Sequence, residues 1–192
     1  MGRPKQFDPD IAVERAMEVF WRKGYAATTP QDLVDALGLG KGSLYNAFGS
    51  KRALFELALR RYRDNQTELL AQLLDETGPV KDRLRTMLRL LAEMDLADPD
   101  RRGCMAVNTA AELAGTGETA TAVVRRMFDR TEDAFRQLIV QGQRSGEIAS
   151  DRDPEALGSL LLNSVVGLRI LARVADGPDR LSRVIDATVD AL

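Results

Sequence analysis

The stretch Gly38-Leu-Gly-Lys-Gly-Ser-Leu-Tyr-Asn-Ala-Phe-Gly-Ser-Lys51 constrains the chain most. Leu44 and Phe48 are four residues apart, so on a helix they share one buried side. Lys41, Gly42, Ser43, Tyr45 and Asn46 then fall mostly on the other faces. That outward set carries one cation, two hydroxyls and an amide. It has no group for bond chemistry, but it can hold a phosphate or touch a base edge. The three glycines at 38, 40 and 42 superficially resemble a phosphate-cradling loop. They match neither the dinucleotide nor the P-loop pattern, and they follow a helical rather than a strand pattern.

What precedes this stretch prepares it. Asp8 can cap a first helix, with Pro9 in its first turn and Ala12, Ala16, Val19 and Phe20 on its inner stripe. Trp21 is expected to pack at the edge of a small core. Gly24 ends the helix. Thr29 opens a second one, with Asp32 placed for a variant capping box and Leu33, Val34 and Leu37 facing inward. Gly38 breaks it. Two short helices joined by a tight glycine-containing turn, the second polar on its outer face, form a helix-turn-helix.

Residues 8–55 resemble the DNA-binding domain of the TetR family of bacterial transcriptional repressors. The matching residues are Phe20, Gly24, Tyr25, Thr28, Thr29, Leu33, Gly38, Leu39, Lys41 to Tyr45, Phe48, Ser50, Lys51, Leu54 and Phe55. Val34 stands where alanine is usual, and Gly40 where serine usually caps the third helix. The resemblance implies that Lys41, Ser43 and Asn46 lie near base edges. Thr29, Tyr45 and Lys51 would lie at or near phosphates, with Thr28 and Gly42 also among the DNA contacts. Arg3 and Lys5, on a polar N-terminal arm, would follow the backbone or minor groove.

Beyond Ser50 the chain reads as helix throughout. One helix can run from Lys51 to about Asp75, with Leu54, Phe55, Leu57, Ala58, Tyr62, Leu69, Leu70, Leu73 and Leu74 on its apolar face. At about 1.5 Å per residue it is long enough to reach from one domain into another. Pro79 suits the first turn of the next helix, which ends near Ala97. A short buried helix follows Cys104, long amphipathic ones cover Glu118–Ser145 and the segment after Pro154, and a last one ends at Leu192. The fold class expected is all-α, about nine helices. A helix-turn-helix domain over 1–52 would be joined to a larger ligand-binding and dimerisation domain over 53–192.

Charge and composition agree with this layout. The 192 residues carry a net charge of −2, but residues 1–63 hold 11 Lys+Arg against 7 Asp+Glu, so the body is acidic. A basic end on an acidic body suits contact with an anionic polymer through that end alone. There is no histidine and only one cysteine, which excludes histidine-dependent triads, disulfides within the chain and Cys/His metal sites. Glu112, Glu118, Glu132 and Asp133 lack a partner constellation, so no enzyme activity, cofactor or metal is expected. No apolar run follows the N-terminal charges, so no signal peptide is expected. The most apolar segment, Leu157–Leu168, is interrupted by Ser159, Asn163 and Ser164, so no membrane partner is expected, and the location expected is the bacterial cytoplasm, on the nucleoid when bound.

Met87, Met94, Met105 and Met127 are adaptable apolar groups suited to a ligand pocket, with Asn108, Thr109 and Asn163 as polar groups on apolar helices. TetR-like proteins dimerise through their last helices, which implies an interface around Leu161, Val165, Leu168 and Leu171. The expected function is a homodimeric regulator, a repressor released from a palindromic double-stranded operator by a small molecule. Two alternatives stand beside it. Cys104 follows Arg101-Arg102-Gly103 at a helix start, where nearby cations would lower a thiol pKa, and a TetR subgroup carries a sensing cysteine in a similar segment. An unregulated architectural DNA-binding protein is the other, and it would show weak sequence preference.

Overall fold

The computed structural model describes residues 7–113 and 117–192, apart from the side chains of 68–75. Arg3 and Lys5 lie outside the described residues, as do the side chains of Leu69, Leu70, Leu73 and Leu74. The described chain is all-α: α1 (Pro9–Lys23), α2 (Pro30–Leu37), α3 (Lys41–Phe48), α4 (Lys51–Asp75), α5 (Val80–Ala97), α6 (Met105–Leu113), α7 (Glu118–Ser145), α8 (Pro154–Leu171) and α9 (Asp179–Asp190).

Local chemistry sets the helix starts. The Asp8 carboxylate accepts from the backbone N–H groups of Asp10 and Ile11 at 2.9 and 3.4 Å. Thr29 and Asp32 complete a reciprocal capping box at the start of α2: the Asp32 N–H donates to Thr29 Oγ1 and the Thr29 N–H to Asp32 Oδ2. Lys23 Nζ binds the same carboxylate at 2.6 Å. The Lys23 hydrogen bond, followed by the Thr29 donors, holds Asp32 down to a pKa of about 2. Ser50 caps α4 through the Ala53 N–H. Helix α3 starts at Gly40 without a side-chain cap. Gly38, at φ 67° and ψ 29°, ends α2 in the left-handed region that favours glycine. Pro79 is the residue before α5 rather than within its first turn.

Two apolar clusters hold these helices. The first gathers Phe20, Leu33, Leu44, Leu54, Phe55 and Tyr62 from α1–α4, and it continues into Met105 and Ala106 of α6 and Val123, Val124 and Met127 of α7. Phe20 packs edge-on against Phe55 with ring centroids 5.0 Å apart. It is 1% exposed, so its removal to alanine costs about 3–5 kcal/mol. The second cluster joins Leu84 and Leu88 of α5, Phe135, Leu138 and Ile139 of α7, Leu157, Leu161 and Leu168 of α8, and Ile185 of α9. Helix α7 contributes to both. The helices that carry the turn at Gly38 are thus packed onto the body through α4, α6 and the first half of α7.

The second cluster corrects the expected interface. Leu161 and Leu168 are 0% and 3% exposed within one chain, so their side chains face inward and present nothing to a partner. Val165 and Leu171 are half-buried against the same cluster. The outer side of α8 is a different set: Leu160, Ile170 and, just past the helix, Val174 are 42%, 50% and 76% exposed. Exposed Asn163 and half-buried Gly167 fall between them at alternating spacings of three and four, so the five positions make one stripe. By length and composition alone, α8 would also pass as a membrane span (18 residues, mean hydropathy 1.2). In the fold its inner side packs on α5, α7 and α9.

Candidate nucleic-acid interface and effector cavity

The short α3 is anchored by Leu44, 2% exposed, and by half-buried Phe48, whose ring lies 6.0 Å from that of Phe7. With that side occupied, Lys41, Gly42, Ser43 and Asn46 stand exposed and Tyr45 half-buried. Thr29 is exposed at the start of α2, though its hydroxyl and N–H are both engaged with Asp32. Lys51 is half-buried. Its ammonium lies 4.5 Å over the Tyr25 ring and bonds the Ala26 carbonyl at 3.4 Å. Thr28 departs from expectation: it is 1% exposed, and its hydroxyl donates to the Gly24 carbonyl at 2.6 Å. It closes the α1–α2 turn and is not available to a phosphate.

The body grips this head through contacts that join residues far apart in the chain. Glu112 of α6 reaches the α1–α2 turn and accepts from the Tyr25 and Ala26 N–H groups at 2.9 and 2.5 Å. Trp21 is indeed edge packing, and it also donates its indole N–H to the Gly103 carbonyl at 2.9 Å. Arg102 stacks over Trp21 at 4.2 Å, bonds Asp98 at 2.8 Å and contacts Glu18. Arg22 pairs with Asp100 at 2.8 Å.

Behind this junction lies a cavity of about 280 Å³ between α4, α5, α6, α7 and α8. Its walls are apolar: Met87 and Leu91 from α5, Ala106 and Val107 from α6, Met127, Phe128 and Phe135 from α7, Leu162, Val165 and Val166 from α8. Arg63, Gln66 and Thr67 of α4, with exposed Arg130, Asp133 and Gln137 of α7, form its polar rim. Arg169 projects among the walls with its side chain 9% exposed. Its Nε lies 2.8 Å from Asp95 Oδ2, yet neither atom makes an aligned hydrogen bond. Its Nη2 donates to the Gly103 carbonyl at 3.2 Å, the same oxygen that accepts from Trp21. Burial pushes the Asp95 carboxyl up to about 6, against the pull of Arg169.

Of the expected pocket residues, Met87, Cys104 and Met127 line this cavity. The others do not. Met94 is 50% exposed on the far side of α5, and Asn163 is exposed on the outer side of α8. Met105 is 2% exposed within the first core. Asn108 braces the loop before α6, donating to the Arg102 carbonyl and accepting from Arg173. Thr109 is buried outside the cavity lining. The cations expected to activate Cys104 point elsewhere: Arg101 donates to the Ala172 carbonyl, and Arg102 is taken by Asp98, Glu18 and Trp21. The thiol instead sits 3.5 Å from the hydroxyl of Tyr62, whose pKa burial pushes well above its usual value.

A helix-turn-helix head with an exposed polar third helix, carried on a helical body with its own cavity, defines a DNA-binding regulator of the one-component type. The family model for bacterial regulatory proteins of the tetR family matches residues 12–58, and that for the tetracyclin repressor-like C-terminal domain matches residues 80–188. The chain belongs to the TetR family of transcriptional regulators, whose members bind double-stranded DNA. It is 32% identical to the uncharacterized HTH-type transcriptional regulator YezE of Bacillus subtilis (strain 168), over the full length of both chains. It is 31% identical to the HTH-type transcriptional repressor ComR of Escherichia coli (strain K12), covering 98% of this chain and 90% of that one. Among solved structures, a triple cysteine mutant of the TetR family regulator CifR in complex with a 26-bp operator duplex superposes with a TM-score of 0.84 at 31% identity, over 99% of both chains.

Asp95 and Arg169 went unnoticed in the sequence, although an arginine in the apolar run Val165–Ala172 is a visible anomaly. Their energetics are testable. A raised carboxyl pKa means that the native state binds the proton more tightly than the unfolded chain, so stability is lost as pH rises from the unfolded value near 4 through about 6. Relative to Asp95→Asn, the wild type is expected to lose about 2 kcal/mol between pH 4 and pH 7. Urea unfolding of both proteins across that range measures this, and parallel pH profiles would contradict it.

Proposed function

We propose that this chain is a homodimeric repressor whose two α3 helices read the half-sites of a palindromic operator, and that a compact ligand in the body cavity releases it. Supporting this, α4 and α6 are each shared between the DNA-reading head and the cavity. Helix α4 starts at the head and passes Arg63 and Thr67 along the cavity rim. Helix α6 offers Ala106 and Val107 to the cavity wall at one end and Glu112 to the α1–α2 turn at the other. We divide the chain accordingly into a reading head, 1–52, and a ligand-binding and dimerisation body, 53–192. No catalytic step is assigned, and the place of action is the bacterial cytoplasm, on the nucleoid while DNA is held.

In the head, Lys41, Ser43 and Asn46 take base edges, Tyr45, Lys51 and Thr29 take phosphates, and Gly42 lets the backbone approach closely. One such helix reads too few base pairs to be selective, so two copies must be held with half-sites roughly 34 Å apart. DNA selects the conformer with that spacing and ligand selects another. A tenfold loss of operator affinity needs only about 1.4 kcal/mol of coupling. The second copy docks on the outer α8 stripe of Leu160, Gly167, Ile170 and Val174.

Selection of bound fragments from random DNA should return one palindrome. Ser43→Ala should alter the preferred bases, while Tyr45→Ala should weaken all duplexes alike by about tenfold. Absence of any enriched palindrome would favour an architectural DNA-binding protein. In sedimentation, Ile170→Glu should shift the protein from dimer to monomer with an unchanged helical spectrum; a persistent dimer would move the interface off α8. Glu112→Gln, which weakens the acceptor for the Tyr25 and Ala26 N–H groups, should reduce the ligand-induced change in operator affinity by about threefold or more. Unaltered coupling in that variant would remove α6 from the transmission route.

A further inference from the structure

We propose, building on the ligand-release function above, that the cavity takes a compact apolar monocarboxylic acid whose carboxylate binds the Arg169 guanidinium in exchange for Asp95. Arg169 is a buried cation that the protein satisfies poorly. Of its three nitrogens, Nη2 has the Gly103 carbonyl at 3.2 Å, and Nε has Asp95 Oδ2 at 2.8 Å without the alignment of a hydrogen bond. Among the described residues no group accepts from Nη1. A guanidinium presents its donors in a planar fork that matches the two oxygens of a carboxylate, and away from water such charge-assisted pairs are strong. Leaving the fork half used at the wall of a cavity is a standing cost that an entering carboxylate removes.

The walls set the rest of the ligand. About 280 Å³ enclosed by Met87, Leu91, Met127, Phe128, Phe135 and Val166 suits a short aliphatic or single-ring body. Among the described lining residues Arg169 is the one buried cation, which matches a single negative charge; Arg63 and Arg130 stand at the rim. The one acidic residue among the described lining groups is Asp133, and Arg136 and Gln137 already hold it, which keeps its carboxyl below the usual range. Asp95 gives way readily, since burial already favours its neutral form. The exchange is also connected to the head: the Gly103 carbonyl that accepts from Arg169 accepts from Trp21 of α1 as well.

Trp21 is the sole tryptophan, so its emission reports on this junction directly. The test titrates the full-length protein with benzoate, phenylacetate and hexanoate, and with the three matched amides. It reads Trp21 emission and release of the selected operator duplex. At least one acid is expected to bind about tenfold or more tightly than its amide and to release DNA. Arg169→Gln should erase that difference between acid and amide. Asp95→Asn should tighten acid binding, and it carries the test should Arg169→Gln fail to fold. Equal binding of acid and amide, an acid preference that survives Arg169→Gln, or acid binding no tighter in Asp95→Asn would each overturn the ligand class and leave ligand release standing. Should no acid bind, the class likewise fails. Ligand release fails separately if a wider set of neutral and cationic compounds also leaves the operator held.

Discussion

The backbone carbonyl of Gly103 is where the head, the body and the cavity meet. It accepts from the Trp21 indole on α1 and from the Arg169 guanidinium on α8. The loop that presents it is fixed on every side. Arg102 ties it to Glu18 and Asp98, Arg101 to the end of α8, and Asn108 of α6 to the Arg102 carbonyl. At φ 63°, and with a Cβ position only 3.0 Å from the Arg169 carbonyl oxygen, residue 103 has to be glycine. Cys104 and α6 follow immediately, so the direction of α6, and with it the reach of Glu112 to the turn before α2, depends on how this loop is held.

A loop held so firmly, next to a charge held so loosely, is a workable arrangement for a switch. The Arg169–Asp95 pair adds little to stability, because taking both charges from water offsets most of their attraction. Its imperfect geometry instead leaves donors of the cation unused at the cavity wall. The first apolar cluster, by contrast, is tight: Ala16, Phe20, Ala58, Leu59 and Tyr62 are all at or below 1% exposure. Packing of that density couples α1 mechanically to α4.

Much of the head was legible in the chain. The caps at Asp8, Thr29 and Ser50, the left-handed stop at Gly38 and the Leu44–Phe48 anchor all arise within four residues of sequence, and local patterns report local bonds. Thr28 was misread because its partner, the Gly24 carbonyl, turns it inward, and a threonine beside a cap looks the same in sequence whether it faces in or out. The pocket was half legible. Methionines mark apolar positions, but only the crossing of α5, α6 and α7 decides that Met87 and Met127 face the cavity while Met94 faces outward and Met105 the core. Likewise α8 is apolar nearly all round, so its pattern could not say that Leu161 is core and Ile170 surface.

By itself, then, the amino-acid sequence determined an all-α chain with a helix-turn-helix head, its exposed polar third helix and its membership of a regulator family. Those properties follow from helical periodicity, capping chemistry and the order of residue types along 48 or so positions. The tertiary structure alone decided which residues form the cavity, that Arg169 faces it with an ill-fitting partner in Asp95, and that Glu112 and Trp21 join body to head. The partners in those contacts lie between 74 and 87 residues apart in the chain. Such pairs have no local signature, because they exist only once the apolar clusters have brought distant helices together.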